Sequence, residues 1–338
     1  MTKSNSSTIG SIDLMKWICA WMVVTIHARP FINYSIYADL YISQGICRFA
    51  VPLFFASSGY LLFRKIQYPI LSNRKANNQL ILRYIIKTCQ RYITWSAIYY
   101  LFQIQYWAFN GMLTKEFILN QIRLFFLEAS YGHLWYLLAT IFAIPVVYLL
   151  MNKGRKYQCC IIAFGWLMRC VEYTYDWTGF FSNQFKWIHQ YCDVVSNVLF
   201  CAIPMILIGV LAVEGYKRSS NQVWLIKAIF WTVIYFTELT LAFYLSKNKI
   251  HFEFLLSCPM LIYNVFCWIL TSDFQIPNPF VRSLFRLGSE WIYYIHWLAI
   301  LIFSLFSGDT GVVRFLVVCL LCLLSSVGYV FFEYKRGC

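Results

Sequence analysis

The chain has 338 residues, of which 60% are hydrophobic, 20% aromatic and only 12% charged. A water-soluble domain carries roughly 25% charged residues, so these few charges cannot clothe a soluble surface and most of the surface must face lipid. The net charge of +14 does not describe a nucleic-acid binder, because the basic residues fall in short segments between apolar runs, as cytoplasmic loops do.

No polar linker divides the apolar blocks, so one all-α integral membrane domain over residues 1–338 is expected. The first apolar block ends in His27-Ala-Arg-Pro30 rather than at a small-residue cleavage site, which reads as a retained first span. The thirteen cysteines have no framework spacing; several (Cys19, Cys89, Cys201, Cys267, Cys319, Cys322) sit inside apolar runs, where Cys behaves as a small hydrophobe. No metal site is expected.

About 20 apolar residues are needed to cross the hydrocarbon as a helix. Runs of that kind occur near 10–28, 47–63, 88–108, 134–151, 158–172, 194–214, 227–246, 252–271, 289–307 and 311–332, which predicts about ten transmembrane helices. Arg169 interrupts the short fifth run. Basic residues follow every second run: Arg64, Lys65, Arg74, Lys75, Arg83 and Lys87; then Lys153, Arg155 and Lys156; then Lys217 and Arg218; then Arg282 and Arg286; and finally Lys335 and Arg336. That alternation places both termini in the cytoplasm. The outer loops are then 29–46, 109–133, 173–193, 247–251 and 308–310. Residues 116–128 have the pattern of an amphipathic helix lying in the outer interface, and 273–288 that of a cytoplasmic turn followed by an interfacial helix.

The first run holds Asp13, Lys16 and His27. Lys16 and His27 are eleven positions apart, which on a helix returns to within about 20° of the same face some 16 Å along the axis. Ionisable groups inside a membrane are costly and face a polar cavity, and a neutral imidazole can take a proton from a hydroxyl. Two readings stand from the residues alone: a catalytic stripe, or a histidine packed under the 29–46 loop. Arg83, Lys87 and Arg91 recur at i, i+4 and i+8, suited to binding phosphate, although topology alone also accounts for them.

Asp13-x-x-Lys16 and His27 resemble the N-terminal signature of acyltransferase family 3, the bacterial membrane O-acyltransferases of cell-surface glycans. Val51-Pro-Leu-Phe-Phe-Ala-Ser-Ser-Gly-Tyr-Leu-Leu62, Gly132-His-Leu-Trp-Tyr-Leu-Leu138, Ala202-Ile-Pro-Met-Ile-Leu-Ile-Gly209 and Leu287-Gly-Ser-Glu-Trp-Ile-Tyr-Tyr-Ile-His296 resemble four further segments of that family, in the expected order. The basic stretch Leu82–Trp95 departs from the family's pattern, with Arg91 where a proline is usual.

The resemblance implies acetyl-coenzyme A or another acyl-coenzyme A as a donor substrate, with no permanently bound cofactor. It implies a glycan or lipid-linked sugar hydroxyl as acceptor and a multi-pass location in the bacterial inner membrane. It gives His27 the role of base, with Lys16 and Asp13 beside it, and Arg83, Lys87 and Arg91 the donor. His133, Trp135, Tyr136, Glu290, Tyr294 and His296 would line the substrate cavity. Glu128, Glu172, Asp176, His189 and Asp193 are outer-side polar groups, either binding sugar hydroxyls or simply solvated, and Glu238 is expected to pair with a cation. The rivals are a polytopic transporter, for which paired broken helices are missing from the sequence, and a non-catalytic membrane sensor.

Overall fold

A computed structural model describes residues 4–176, 183–184, 186, 192–246, 254–272 and 274–336. The described residues form helices joined by turns, without a strand among them. The chain separates into two compact units, Met1–Ser57 with Ala212–Cys338, and Ser58–Leu211.

In the first unit, α1 (Ser4–Ala28) runs unbroken through Asp13, Lys16 and His27. Residues 36–49 follow as short α, π and 3-10 turns that lead straight into α2 (Ala50–Phe63). Residues Ile36–Phe63 are thus one helical segment, long and apolar enough to cross a membrane. The expected outer loop 29–46 is therefore mostly helical, and only residues 29–35 connect α1 to the next segment. The apolar run at 47–63 hid this, because Asp39, Ser43 and Gln44 make the preceding turns read as loop.

The second unit holds α3 (Arg74–Phe109), α4 (Lys115–Leu127), α5 (Trp135–Leu150) and α6 (Arg155–Tyr173). With 36 residues, α3 is about 54 Å long, well beyond a hydrocarbon core of about 30 Å. Residues 116–128 do form the expected helix: α4 starts at Thr114, whose side chain accepts from the Phe117 N–H at 3.2 Å. Then α7 (Ile203–Gly215) leads back to the first unit, which continues with α8 (Asn221–Leu245), α9 (Cys258–Thr271), α10 (Ser289–Phe306) and α11 (Val312–Arg336).

Among the described residues seven segments are long and apolar enough to cross a membrane: Gly10–Ala28, Ile36–Phe63, Lys115–Leu150, Cys192–Arg218, Asn221–Leu245, Pro279–Phe306 and Val312–Arg336. These contain seven of the ten expected runs. The runs at 88–108 and 158–172 are helical as well, but Gln90, Arg91, Gln103 and Gln105 in one, and Gln158, Arg169 and Glu172 in the other, dilute their apolar character. The run at 252–271 becomes a helix of 14 residues. The expected outer loop 247–251 and His189 lie outside the described residues.

Lipid contact is legible in burial. Only 22% of the apolar window of Val312–Arg336 and 28% of that of Asn221–Leu245 is buried, against 78% for Cys192–Arg218. Exposed Leu316, Leu320, Leu324 and Phe331 on α11, and Ile226, Ile229, Phe230 and Val233 on α8, form faces with no aqueous use. In the first unit α1 packs against α9, α10 and α11, α8 pairs with α9, and α10 with α11. Within the segment expected as a cytoplasmic turn and interfacial helix, residues 279–288 are helical and lead directly into α10. Asn278 caps this stretch, its side chain accepting from the N–H groups of Phe280 (2.9 Å) and Val281 (3.2 Å), and the stretch passes through a π turn at Leu284–Gly288 into Ser289.

Candidate functional site

Close approach of α1 to the start of α10 depends on one glycine. A Cβ on Gly288 would lie 2.8 Å from the Trp17 ring, and Trp17 also meets Phe285 with ring centroids 5.6 Å apart. Larger residues at 288 would push the two elements apart. This contact sets the register in which the polar residues of α1 face those of α10.

Two polar stations result along α1. At the first, the Lys16 ammonium meets the Glu290 carboxylate at 3.5 Å, with both side chains partly exposed. Asp13 is buried one turn earlier on the same face, and its Oδ2 has no hydrogen-bond partner. Arg282 and Arg286 are electrostatic neighbours of Asp13. At the second station, about 16 Å further along the helix, the rings of His27 and His296 stack with centroids 5.2 Å apart and 27° between planes. Trp297 stands edge-on to His27 at 4.8 Å. His296 is fully buried, and its Nδ1 lies 2.8 Å from the Tyr293 carbonyl oxygen. Since a carbonyl only accepts, Nδ1 carries the proton and Nε2 is the acceptor nitrogen. Tyr294 is buried beside Tyr293, with their rings at 5.4 Å.

The far end of α1 is held firmly. Arg314 donates to the Ala28 carbonyl through Nε at 3.1 Å and Nη2 at 2.7 Å. Arg29, with φ of 49°, ends the helix in a left-handed turn and pairs with buried Asp39 at 3.2 Å. His27 therefore sits on a helix fixed immediately after it by two arginines, as a rigid reacting group requires.

The second unit carries the other expected residues. Arg83, Lys87 and Arg91 are exposed along α3. The row extends upstream, since Lys75 and Gln79 continue its four-residue spacing, and Arg74, Lys75, Asn78, Gln79 and Leu82 line a hollow of about 470 Å³. Arg74 and Lys75 thus share one unbroken helix with Arg83, Lys87 and Arg91. His133 is buried in a 3-10 turn, edge-on to Tyr99 (5.0 Å) and Tyr131 (5.8 Å). Tyr136 shares a 2.8 Å hydrogen bond with Ser58, and Trp135 is half-buried. A Cβ on Gly59 would collide with the Ile206 carbonyl, so this glycine serves close helix approach.

One expectation is corrected. Glu172 is no solvated loop residue: it is buried with Arg169 (3.1 Å), and Ser196 and Asn197 complete a network in which Arg169 donates to Ser196 at 2.7 Å and to Asn197 at 2.6 Å. A charge this deep persists because it is paired and hydrogen-bonded. Glu238, expected beside a cation, lies at the N-terminal end of α9. It accepts from the N–H of Leu256 (2.6 Å), the N–H of Ser257 (2.9 Å) and the Ser257 hydroxyl (2.5 Å), where the helix dipole favours negative charge.

The family model described as an acyltransferase domain matches residues 9–331. Curated relatives include two amino-acid racemases of Enterococcus faecalis. One is 28% identical over 217 residues, 61% of this chain and 29% of the relative. The other is 27% identical over 164 residues, 48% of this chain and 21% of the relative. The chain thus spans less than a third of the length of these relatives. No solved structure matches. With a match over nearly its whole length and its polar stripe on one helix, the chain belongs to acyltransferase family 3, a family of membrane acyltransferases.

Proposed function

We propose that this membrane acyltransferase is an O-acyltransferase that moves an acyl group, most simply acetyl, from cytoplasmic acyl-coenzyme A to a hydroxyl of a cell-envelope glycan or its lipid-linked precursor. Its place is the bacterial cytoplasmic membrane. The observation that carries the reading is the stacked His27–His296 pair at the end of a helix that also bears Lys16. In the transfer, His27 takes the proton of the acceptor hydroxyl as its oxygen attacks the acyl carbon, the thiolate leaves, and the imidazolium returns the proton to it. His296 holds one face of the His27 ring and is itself oriented by the Tyr293 carbonyl. Lys16 stands too far away to share that proton, and serves donor engagement. The cationic row of α3 suits the donor's phosphates, which call for forked and point-charge donors. The name amino-acid racemase belongs to the relatives, and the acyl-transfer reading rests on the family match and the imidazole pair.

The test uses membranes from a strain lacking the gene, supplied with the full chain and radiolabelled acetyl-coenzyme A. Label should enter the glycan fraction with the wild-type protein and not with His27→Gln. Equal labelling in both, or no labelling by the wild-type protein with any acyl-coenzyme A, would sink the reading.

A further inference from the structure

The segment between α1 and α2 brings polar groups to α1. Its 3-10 turn, Ile46–Phe49, packs on α1. The Cys47 thiol meets the Thr25 hydroxyl, which also donates to the Trp21 carbonyl at 3.0 Å. Arg48 follows Cys47, and Thr25 lies two residues before His27, so the guanidinium comes within electrostatic reach of the imidazole.

Arg48 is half-buried and held by a buried amide: the Gln44 Oε1 accepts from its Nε at 3.1 Å and its Nη2 at 2.7 Å. Two N–H groups converging on one oxygen set the plane of the guanidinium. A cation inside a membrane-spanning segment is expensive and marks a polar cavity with work for that charge. An oriented guanidinium beside a base is suited to an oxygen that becomes negative during the reaction.

We infer that Arg48, oriented by Gln44, binds the acyl carbonyl oxygen as it becomes an oxyanion during transfer. This rests on the acyl-transfer reading above. As the acceptor oxygen loses its proton to His27 and bonds to the acyl carbon, the carbonyl π pair moves onto the carbonyl oxygen, and the guanidinium N–H groups donate to it. Collapse restores the C=O bond and breaks the C–S bond, and the departing thiolate takes the proton from the His27 imidazolium. No other reactant is needed.

The test is steady-state transfer from acetyl-coenzyme A to envelope acceptor by the purified full chain in lipid vesicles. Arg48→Gln should lower kcat about 100-fold, the size typical of losing one oxyanion donor, with KM for acetyl-coenzyme A within about threefold of wild type. Arg48→Lys, which keeps the charge and guards against a folding failure, should still lose at least about tenfold in kcat, because an ammonium lacks the planar fork. Gln44→Leu should lower kcat by a smaller factor. Wild-type kcat in Arg48→Lys, or a raised KM with unchanged kcat in Arg48→Gln, would overturn the assignment. The second result would make Arg48 an anchor for a charged part of a substrate. No transfer by the wild-type protein would overturn the acyl-transfer reading along with it, whereas an active wild type with equally active Arg48 variants removes this inference alone.

Discussion

The imidazoles of His27 and His296 stack at 5.2 Å although they belong to the first and sixth of the seven segments, among the described residues, that are long and apolar enough to cross a membrane. Neither ring alone identifies a reacting centre. Together they put a half-buried imidazole against a fully buried one whose tautomer is set by the Tyr293 carbonyl.

His27→Ala and His27→Gln should each lower transfer by about 10²–10⁴-fold, the usual contribution of a general base, while the protein keeps its elution volume in detergent. Glutamine is the stricter replacement, since it hydrogen-bonds but accepts no proton at neutral pH. His296→Gln should lower transfer less, because its ring orients rather than accepts. A loss of tenfold or less in both His27 variants removes the imidazole from the chemistry.

Lys16 and Glu290 meet at 3.5 Å, so exchanging them separates pairing from function. Lys16→Glu with Glu290→Lys should restore the thermal midpoint lost in either single variant, since the pair is rebuilt. Transfer should stay impaired, because the cation now projects from α10 instead of α1. Recovery of full transfer in the exchanged protein would reduce Lys16 to half of a structural ion pair.

Much of this arrangement was legible before any coordinates. Apolar run length located the helices, and the helical period put Asp13, Lys16 and His27 on one face. What stayed hidden has a common cause: polar side chains inside helical segments find partners that the sequence pattern does not name. Inside the helical segment Ile36–Phe63, Asp39 pairs with Arg29, and Gln44 accepts from Arg48. Arg169 and Glu172 stay buried because Ser196 and Asn197 complete their hydrogen bonds. Glu238 meets a helix N-terminus, and helix termini leave no charge in the sequence to be counted. Gly288 and Gly59 could be read as packing residues, but which ring or carbonyl each accommodates could not.

Gly288→Ala should destabilise the protein by about 1–3 kcal/mol, the cost of forcing a methyl into a filled space, because its Cβ would lie 2.8 Å from the Trp17 ring. Trp17→Leu in the same background should recover part of that loss, since a smaller side chain removes the collision. Thermal unfolding in detergent measures both. Equal and additive losses would mean that the two residues are not in conflict.

Basic residues alternate along the sequence, so position 75 is expected on the cytoplasmic face together with both termini. A single cysteine replacing Lys75, in a background without native cysteines, should react with a membrane-impermeant thiol reagent only after the cells are opened. Position 34, between α1 and the next segment, should react in intact cells. Labelling of position 75 from outside would invert the topology and separate the α3 cations from any cytoplasmic donor.

The donor assignment makes the last prediction. Arg83 and Lys87 are exposed on α3, in a row with Lys75 and Arg91. Phosphates remote from the thioester contribute binding that is alike in ground and transition states, and removing such contacts raises KM while leaving kcat. Arg83→Ala with Lys87→Ala should therefore raise KM for acetyl-coenzyme A by roughly tenfold or more, as two charge-assisted hydrogen bonds of about 1.5–3 kcal/mol each allow, with kcat within about threefold. The effect should shrink as salt is raised, since exposed charges are screened over about 10 Å at 0.1 M ionic strength. Short acyl donors without the nucleotide, such as an N-acetylcysteamine thioester, should show no difference between wild type and variant. Unchanged KM for acetyl-coenzyme A would leave Arg83 and Lys87 with orientation in the membrane as their work; an equal loss with the short donor would place their effect on the transfer step itself.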